Sequence, residues 1–302
     1  MNQPIRYING TDISLPQWKE CLRLGGRGTL YAEPAFMKAM AGGWAAFVLG
    51  NYEAVLPVFP RKKWGIQYLY QPAFIQQSAI HASGILSPQV VTALLTKVQA
   101  TFKFGEIYLS PAEGICATAS KKNFLLSLQP SYSVLEASYK PDLLKNRKIA
   151  SRQAFRYQNG AVDRVLGHFQ QTYQNRLNYT AQDYQALGRY CQQVKEKDRV
   201  IVREVWLGEM LEAACLCIAD QERIYLLLNY TAADARKRAA NHYLLDQLIR
   251  EYAGSGKLLD LEGSDHPGIA HFYQNFGAVN EPYYFLGWNR LPWPLRLLKP
   301  GY

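Results

Sequence analysis

Long apolar runs are missing from this chain. No stretch approaches the roughly 20 consecutive apolar residues that a membrane-crossing helix needs, so no such helix is expected. Cysteine is scarce: five residues, Cys21, Cys116, Cys191, Cys215 and Cys217, an odd number with no pairing framework. A zinc site would need two further ligands at familiar spacing beside Cys215 and Cys217, and none is there, so no metal is expected. Cys215 and Cys217 alternate along one strand face as small apolar side chains. Met1–Gly10 has neither an apolar core nor a small-residue cleavage site, which argues against a secretion signal. Together these absences imply a reduced, cytoplasmic protein. Acidic residues are outnumbered, 24 against 34 Lys and Arg, leaving a net charge of +10. That balance favours an anionic partner: a phosphorylated cofactor, a nucleic acid or a lipid surface. There is no Gly-x-Ser-x-Gly elbow, so a serine acyl-enzyme of that type is not indicated.

What is present describes a packed globular protein. Hydrophobic residues make up 48% and charged residues 19% of the 302, a composition that excludes disorder and allows about two domains. The chain also contains an internal repeat. AAFVLGNYEAVLPVFPRKKWGIQYLYQP from Ala45 and VREVWLGEMLEAACLCIADQERIYLLLNYT from Val202 both read strand, tight turn, strand, charged turn, strand, with Leu49-Gly50 matching Leu207-Gly208. NFLLSLQPSY from Asn123 and NFGAVNEPYY from Asn275 share Asn, Phe, Pro and Tyr at matching places. Self-similarity at this long period means two copies of one domain, placed at residues 1–139 and 140–302. Between the hairpin regions, Lys140–Tyr157 is basic with an apolar face and predicts an amphipathic helix ended by Gly160. Two helices follow near Arg164–Leu177 and Ala181–Lys197, the second opened by a Thr180/Asp183 capping box.

The most informative stretch is LLDLEGSDHPGIAHFYQNFGA, Leu258–Ala278. It reads as a short strand ending near Leu261, an acid-rich turn, and a helix that carries Tyr273 and stops at Gly277. Ser264, Asp265 and Pro267 form its expected start, with Ser or Asp as the cap. The second half as a whole runs helix, helix, three strands, basic loop, helix, strand, helix, strand. This order, with Tyr273 and Phe276-Gly277 matching a Tyr-x-x-x-Gly helix, resembles the GNAT acyltransferases, and the duplication resembles their FemAB-like tandem branch. The resemblance implies an α/β (α+β) protein of two GNAT-like domains, each a mixed, mostly antiparallel sheet flanked by helices. It departs from the pattern in the loop ARKRAANH, where Ala239, Ala240 and Asn241 stand in place of glycines.

The residues can be assigned roles on that frame. Two parallel strands, Ile224–Tyr230 and Lys257–Leu261, should splay and leave backbone donors facing an acyl carbonyl. Glu262, at the end of the second strand, is a candidate general base, with Asp260 as the alternative and as a carboxylate on the same face able to raise its pKa. The resemblance suggests Tyr273 as proton donor to the leaving group. Asn229 and Tyr230 would neighbour the acyl group. Arg236, Lys237 and Arg238 before a helix, with Asn241 in its first turn, form an anion site for a donor phosphate. His266 and His271 are candidates for the acceptor side. In the first copy Ser110-Pro111 replace Glu262-Gly263, and Ser120-Lys121 fall near Tyr273 on an expected helix, so this copy reads as degenerate. Its Trp44, Tyr68, Tyr70 and Phe74 are candidate wall residues for the acceptor. The implied reaction moves an acyl or aminoacyl group from acyl-coenzyme A or an aminoacyl-tRNA to an amine on a small molecule or cell-envelope precursor. DNA is not an expected partner. The C-terminal NRLPWPLRLLKPGY suits either contact with a membrane surface or a tail packed on its own domain. The rival reading is a non-catalytic binding protein on a duplicated fold.

Overall fold

The computed structural model describes residues 3–26, 30–196, 198–263, 265–293 and 295–298. The chain begins with β1 (Ile5–Asn9), α1 (Leu15–Gly25), α2 (Pro34–Ala41), β2 (Ala45–Leu49), β3 (Ala54–Val58), β4 (Pro60–Lys63), β5 (Ile66–Leu69), β6 (His81–Ala82), α3 (Pro88–Thr101), β7 (Phe104–Leu109) and β8 (Ala119–Lys121). It continues with β9 (Phe124–Ser127), α4 (Tyr132–Ala137), α5 (Pro141–Ala150), β10 (Phe155–Asn159), α6 (Val162–Tyr173), α7 (Ala181–Gln193), β11 (Val200–Leu207), β12 (Met210–Ala219) and β13 (Arg223–Thr231). After a 3-10 turn at Asp234–Arg236 come α8 (Ala240–Tyr252), β14 (Leu258–Asp260), α9 (Pro267–Gln274), β15 (Val279–Asn280), β16 (Tyr283–Asn289) and a last 3-10 turn, Leu295–Leu298.

Two compact units result: residues 1–121 with 282–302, and residues 122–281. They follow chain order less strictly than a division at 139/140. The final strand, β16, pairs antiparallel with β7 of the first unit, while β9, which comes from the first sequence copy, pairs antiparallel with β14 of the second. Each half of the sequence thus completes the other's sheet with one strand.

In the first unit β1, β2, β3 and β6 form one sheet, and β4, β5, β7, β16 and β8 another. In the second, seven strands form one sheet in the order β10-β11-β12-β13-β14-β9-β15. Cys215 and Cys217 are fully buried on its face against α8 and α9, within a core that includes Leu226, Leu244, Leu248, Tyr273 and Phe276. The expected mixed, mostly antiparallel α/β architecture is therefore present.

Local signals held where turn chemistry is decisive. Gly50 and Gly208 both adopt positive φ at the matched hairpin turns. The Thr180/Asp183 capping box is fully formed. Three readings need correction. The basic helix ends at Ala150, and Phe155–Asn159 is an edge strand paired with Arg203–Leu207 of β11, because five alternating residues suffice for a strand. No helix forms over residues 114–124; Ala119–Lys121 instead pairs with Tyr283–Phe285. Asn123-Phe124 therefore opens a strand, whereas Asn275-Phe276 follows a helix.

Candidate functional site

The sheet of the second unit parts at its centre. β13 and β14 pair in parallel only at Arg223–Leu258, Ile224–Leu259 and Tyr225–Asp260. β13 then runs on to Thr231, while β14 has ended at Asp260. On that side the described residues give Leu226–Thr231 no further strand partner, so the backbone groups that β13 does not use in its ladder with β12 face the gap. Just beyond the fork, Leu216 faces Leu228 and Cys217 faces Leu226, so Leu227 is an unopposed bulge residue. A bulge bends its strand and increases its twist, which reinforces the parting.

Glu262 stands where β14 leaves the sheet. Its φ is +56°, a left-handed conformation that a glutamate rarely adopts. Two contacts hold it there: its N–H donates to Asp260 Oδ1 at 3.0 Å, and its carbonyl accepts from Phe124 N–H at 3.2 Å. Strain retained at such a position is typical of functional sites.

Asp260 is buried at 1% exposure and accepts from Arg223 Nη1 at 3.1 Å. Burial pushes its carboxyl pKa up, and the neighbouring Arg223 opposes that shift. Its side chain is thus spent on Arg223 and on the Glu262 N–H, so it positions Glu262. The expected mutual perturbation of two carboxylates on one face is not what sets its pKa.

Tyr273 lies on α9, buried and packed against Phe124 with ring centroids 6.0 Å apart. Burial raises its phenol pKa, so the hydroxyl stays protonated at neutral pH; the Asn229 amide acts in the opposite sense by hydrogen bonding, and Glu262 lies within electrostatic reach. Asn229 faces Cys215 across the ladder and its Oδ1 is a buried acceptor without a partner. Tyr230 points to the other face, where its ring lies 5.1 Å from that of His168 on α6. Asn229, Tyr273 and Glu262 therefore converge, and Tyr230 does not join them.

The basic loop divides as well. Arg236 and Lys237 are exposed. Arg238 instead makes a fork-to-fork pair with buried Glu212, Nε to Oε2 at 2.8 Å and Nη2 to Oε1 at 2.7 Å. Ala239, the first residue standing for a glycine, keeps the left-handed backbone at φ +58° and caps α8. The N–H groups of Ala240, Asn241 and His242 then have no intrahelical acceptor. Asn241 Oδ1 is buried and unpartnered. Two exposed cations, Arg236 and Lys237, the latter 4.0 Å from Asp234, thus stand beside a helix start of the kind that can hold an anion.

The two histidines beside Tyr273 have other partners. His266 rather than Asp265 caps α9, accepting from Gly268 N–H at 3.2 Å, while Asp265 Oδ1 accepts from Lys122 N–H. Ser264 lies outside the described residues. His271 is exposed and its Nε2 lies 3.5 Å from Asp142. Tyr68 and Tyr70 belong to the first unit. Tyr68 meets Phe104 edge-on, and Tyr70 lies 3.5 Å beneath the Arg61 guanidinium.

Sequence reasoning missed Arg223, Glu212 and His242. His242, in the first turn of α8, sits edge-on to Phe272, and burial lowers its pKa to about 4. The partners of Arg223 and Glu212 depend on strand register, which local patterns do not encode. Among the described residues no cluster of His, Cys, Asp and Glu could hold a metal.

A family model described as an acetyltransferase (GNAT) domain matches residues 144–267, from α5 to the first residue of α9. No curated protein matches the chain. Among solved structures, FemX superposes with a TM-score of 0.65 at 10% identity, covering 97% of this chain and 99% of its own. The C-terminal domain of a protein assigned as a lysylphosphatidylglycerol synthetase, from Agrobacterium fabrum, gives 0.56 at 11% identity and 95% of each chain. A tandem GNAT protein from the clavulanic acid pathway gives 0.50 at 9% identity, covering 96% of this chain and 99% of its own. The chain therefore has a tandem GNAT-like fold like that of FemX, and within its second unit the stretch 144–267 is similar to the GNAT acetyltransferase domain.

Proposed function

We propose that the second unit transfers an acyl or aminoacyl group from an activated ester or thioester to an amine. The observation that carries this reading is the fork between β13 and β14, together with the interaction of Tyr273, on the following helix, with Asn229 and Glu262. Acyl transfer develops negative charge on the carbonyl oxygen, and preorganised N–H donors beside a sheet opening stabilise it. Glu262, directly or through one water, takes the proton of the attacking amine. Tyr273, protonated at neutral pH, gives a proton to the leaving atom. Asp260 and Arg223 keep the Glu262 backbone in place. Arg236, Lys237 and the first N–H groups of α8 hold the donor's phosphate.

Acyl-coenzyme A and aminoacyl-tRNA both supply an activated carbonyl and a phosphate, and the basic helix start suits both. The structural neighbours include a protein named for lysylphosphatidylglycerol synthesis, so aminoacyl donors belong in the test. A ligand that binds only the folded state raises its melting temperature. Coenzyme A, acetyl-coenzyme A and charged tRNA are each added to the chain. One of them is expected to raise Tm by several degrees, and that rise should shrink in Arg236→Ala/Lys237→Ala. No stabilisation by any of the three would favour a binding protein without acyl-transfer chemistry.

A further inference from the structure

The β4–β5 hairpin of the first unit carries a feature that acyl transfer does not use. Lys63 pairs with Ile66, so the hairpin turns on two residues, Trp64 and Gly65. Both have positive φ, +50° and +78°, the signature of a type I′ turn. Asn, Asp or Gly suits the first of these places, and a bulky residue there is a backbone outlier. This chain places a tryptophan there and leaves it 72% exposed. The ring stays out of the core and lies near Lys63, whose Nζ sits 4.7 Å from the ring centre. Arg61, Lys62 and Lys63 are all exposed, and among the described residues none pairs with a carboxylate.

Charge distribution points the same way. The first unit holds 14 Lys and Arg against 6 Asp and Glu, and the second holds 20 against 18, so +8 of the net +10 belongs to the unit that carries this hairpin. Charges on β4 have an ordinary use, since it is an edge strand and lysines there discourage pairing with other chains. Edge protection does not account for an exposed tryptophan held in an unfavourable turn.

We propose that the Trp64 hairpin tip is a docking element for an anionic lipid bilayer. Indole favours the headgroup region, and clustered lysines add electrostatic attraction to acidic lipids. A single aromatic at a turn suits that role better than it suits single-stranded nucleic acid, where successive aromatics along a groove stack the bases. This site is separate from the acyl-transfer reading and stands or falls without it.

The test is cosedimentation of the full chain with phosphatidylcholine vesicles, with and without phosphatidylglycerol, and a filter-binding assay with single-stranded RNA. Binding is expected to the mixed vesicles, weakening with salt, and not to phosphatidylcholine alone. Trp64→Asn should weaken it about tenfold, and each of Lys62→Gln and Lys63→Gln about fivefold. Asn suits the turn, so Tm of Trp64→Asn should hold or rise, which separates lost docking from lost folding. Equal vesicle binding by Trp64→Asn and the parent, or no binding to mixed vesicles, would overturn the proposal. So would loss of RNA binding in Trp64→Asn with vesicle binding intact.

Discussion

The two units share an order of strands and differ in what they bury. In the second, β12 and β13 run as long partners and the sheet is continuous across seven strands. In the first, the matching segment AVLPVFPRKK contains Pro57 and Pro60, which cannot donate to a ladder. The strand is cut at Phe59: β3 pairs with β6, β4 pairs with β5, and the sheet divides in two. The parallel pair that forks in the second unit is reduced in the first to one match, Leu69 with Gly105, plus a bridge from Ser78 to Leu109. Ser110, in the place of Glu262, donates to Gln77 Oε1. All four buried carboxylates among the described residues, Glu204, Glu212, Asp246 and Asp260, are in the second unit. A similar strand order thus stands in both units, while the buried carboxylates of the described residues and the longer parallel pair are in one.

The largest effect expected from this contrast is on stability. Glu204 is fully buried and accepts from Arg164 Nη1, Trp206 Nε1 and the Ala161 N–H at 2.7, 2.9 and 3.1 Å. Removing one partner of a buried charged network costs about 3–5 kcal/mol. Glu204→Ala should lower the unfolding free energy by that amount, read from the fall in the denaturant midpoint at unchanged m. Gln77→Ala, a buried polar change in the first unit, should cost about 1–2 kcal/mol. Similar losses for both would break the distinction.

Next comes turnover, measured with whichever donor stabilises the chain. Glu262→Gln and Tyr273→Phe are each expected to lower kcat about 10²–10³-fold, the usual range for a positioned acid or base. Ser110→Ala, at the matching place in the first unit, should stay within about twofold of the parent. Asp260→Asn keeps an acceptor for the Glu262 N–H and should lie between. Equal losses for Glu262→Gln and Ser110→Ala would mean that both units contribute chemistry.

The contrast also has a pH signature. His242 has its pKa lowered from 6.5 to about 4 by burial. The unfolded chain therefore takes up this proton first as pH falls, and the stability that neutral His242 contributes is complete above 6.5 and lost towards 4. The loss is at most about 3 kcal/mol. Asp260 works against it: a raised carboxyl pKa favours the protonated folded form, so its burial penalty eases as pH falls. Hydrogen exchange between pH 7 and 4 should show protection falling first in β13 and α8. His242→Phe should flatten that dependence.

How much of this was legible before the structure depends on the range of the interaction. The turns at Gly50 and Gly208, the Thr180/Asp183 box and the order of elements were readable because each is encoded within a few residues. The resemblance predicts the fork, and the strand register contains it. The strand exchange of β9 and β16 was not, because pairing Leu125 with Asp260 or Tyr284 with Leu109 joins residues far apart in sequence. The fate of Arg238 was hidden for the same reason: its partner, Glu212, is on another strand. Five residues such as FRYQN carry too short a period to separate a strand from the end of a helix.

The smallest effect compares two left-handed residues that are not glycine, Trp64 in the first unit and Ala239 in the second. A left-handed backbone costs an L-residue about 1–2 kcal/mol, and glycine's greater freedom in the unfolded chain returns about 0.5–1 of that. Trp64→Gly and Ala239→Gly should therefore each gain about 0.5–1 kcal/mol at most. Their consequences should part company at the donor. Ala239 precedes the free N–H groups of α8, so Ala239→Gly should change the Tm rise produced by the donor, whereas Trp64→Gly should leave it as it was. A donor response that moves with Trp64 and ignores Ala239 would relocate the anion site to the first unit and reverse the assignment of roles between the two halves.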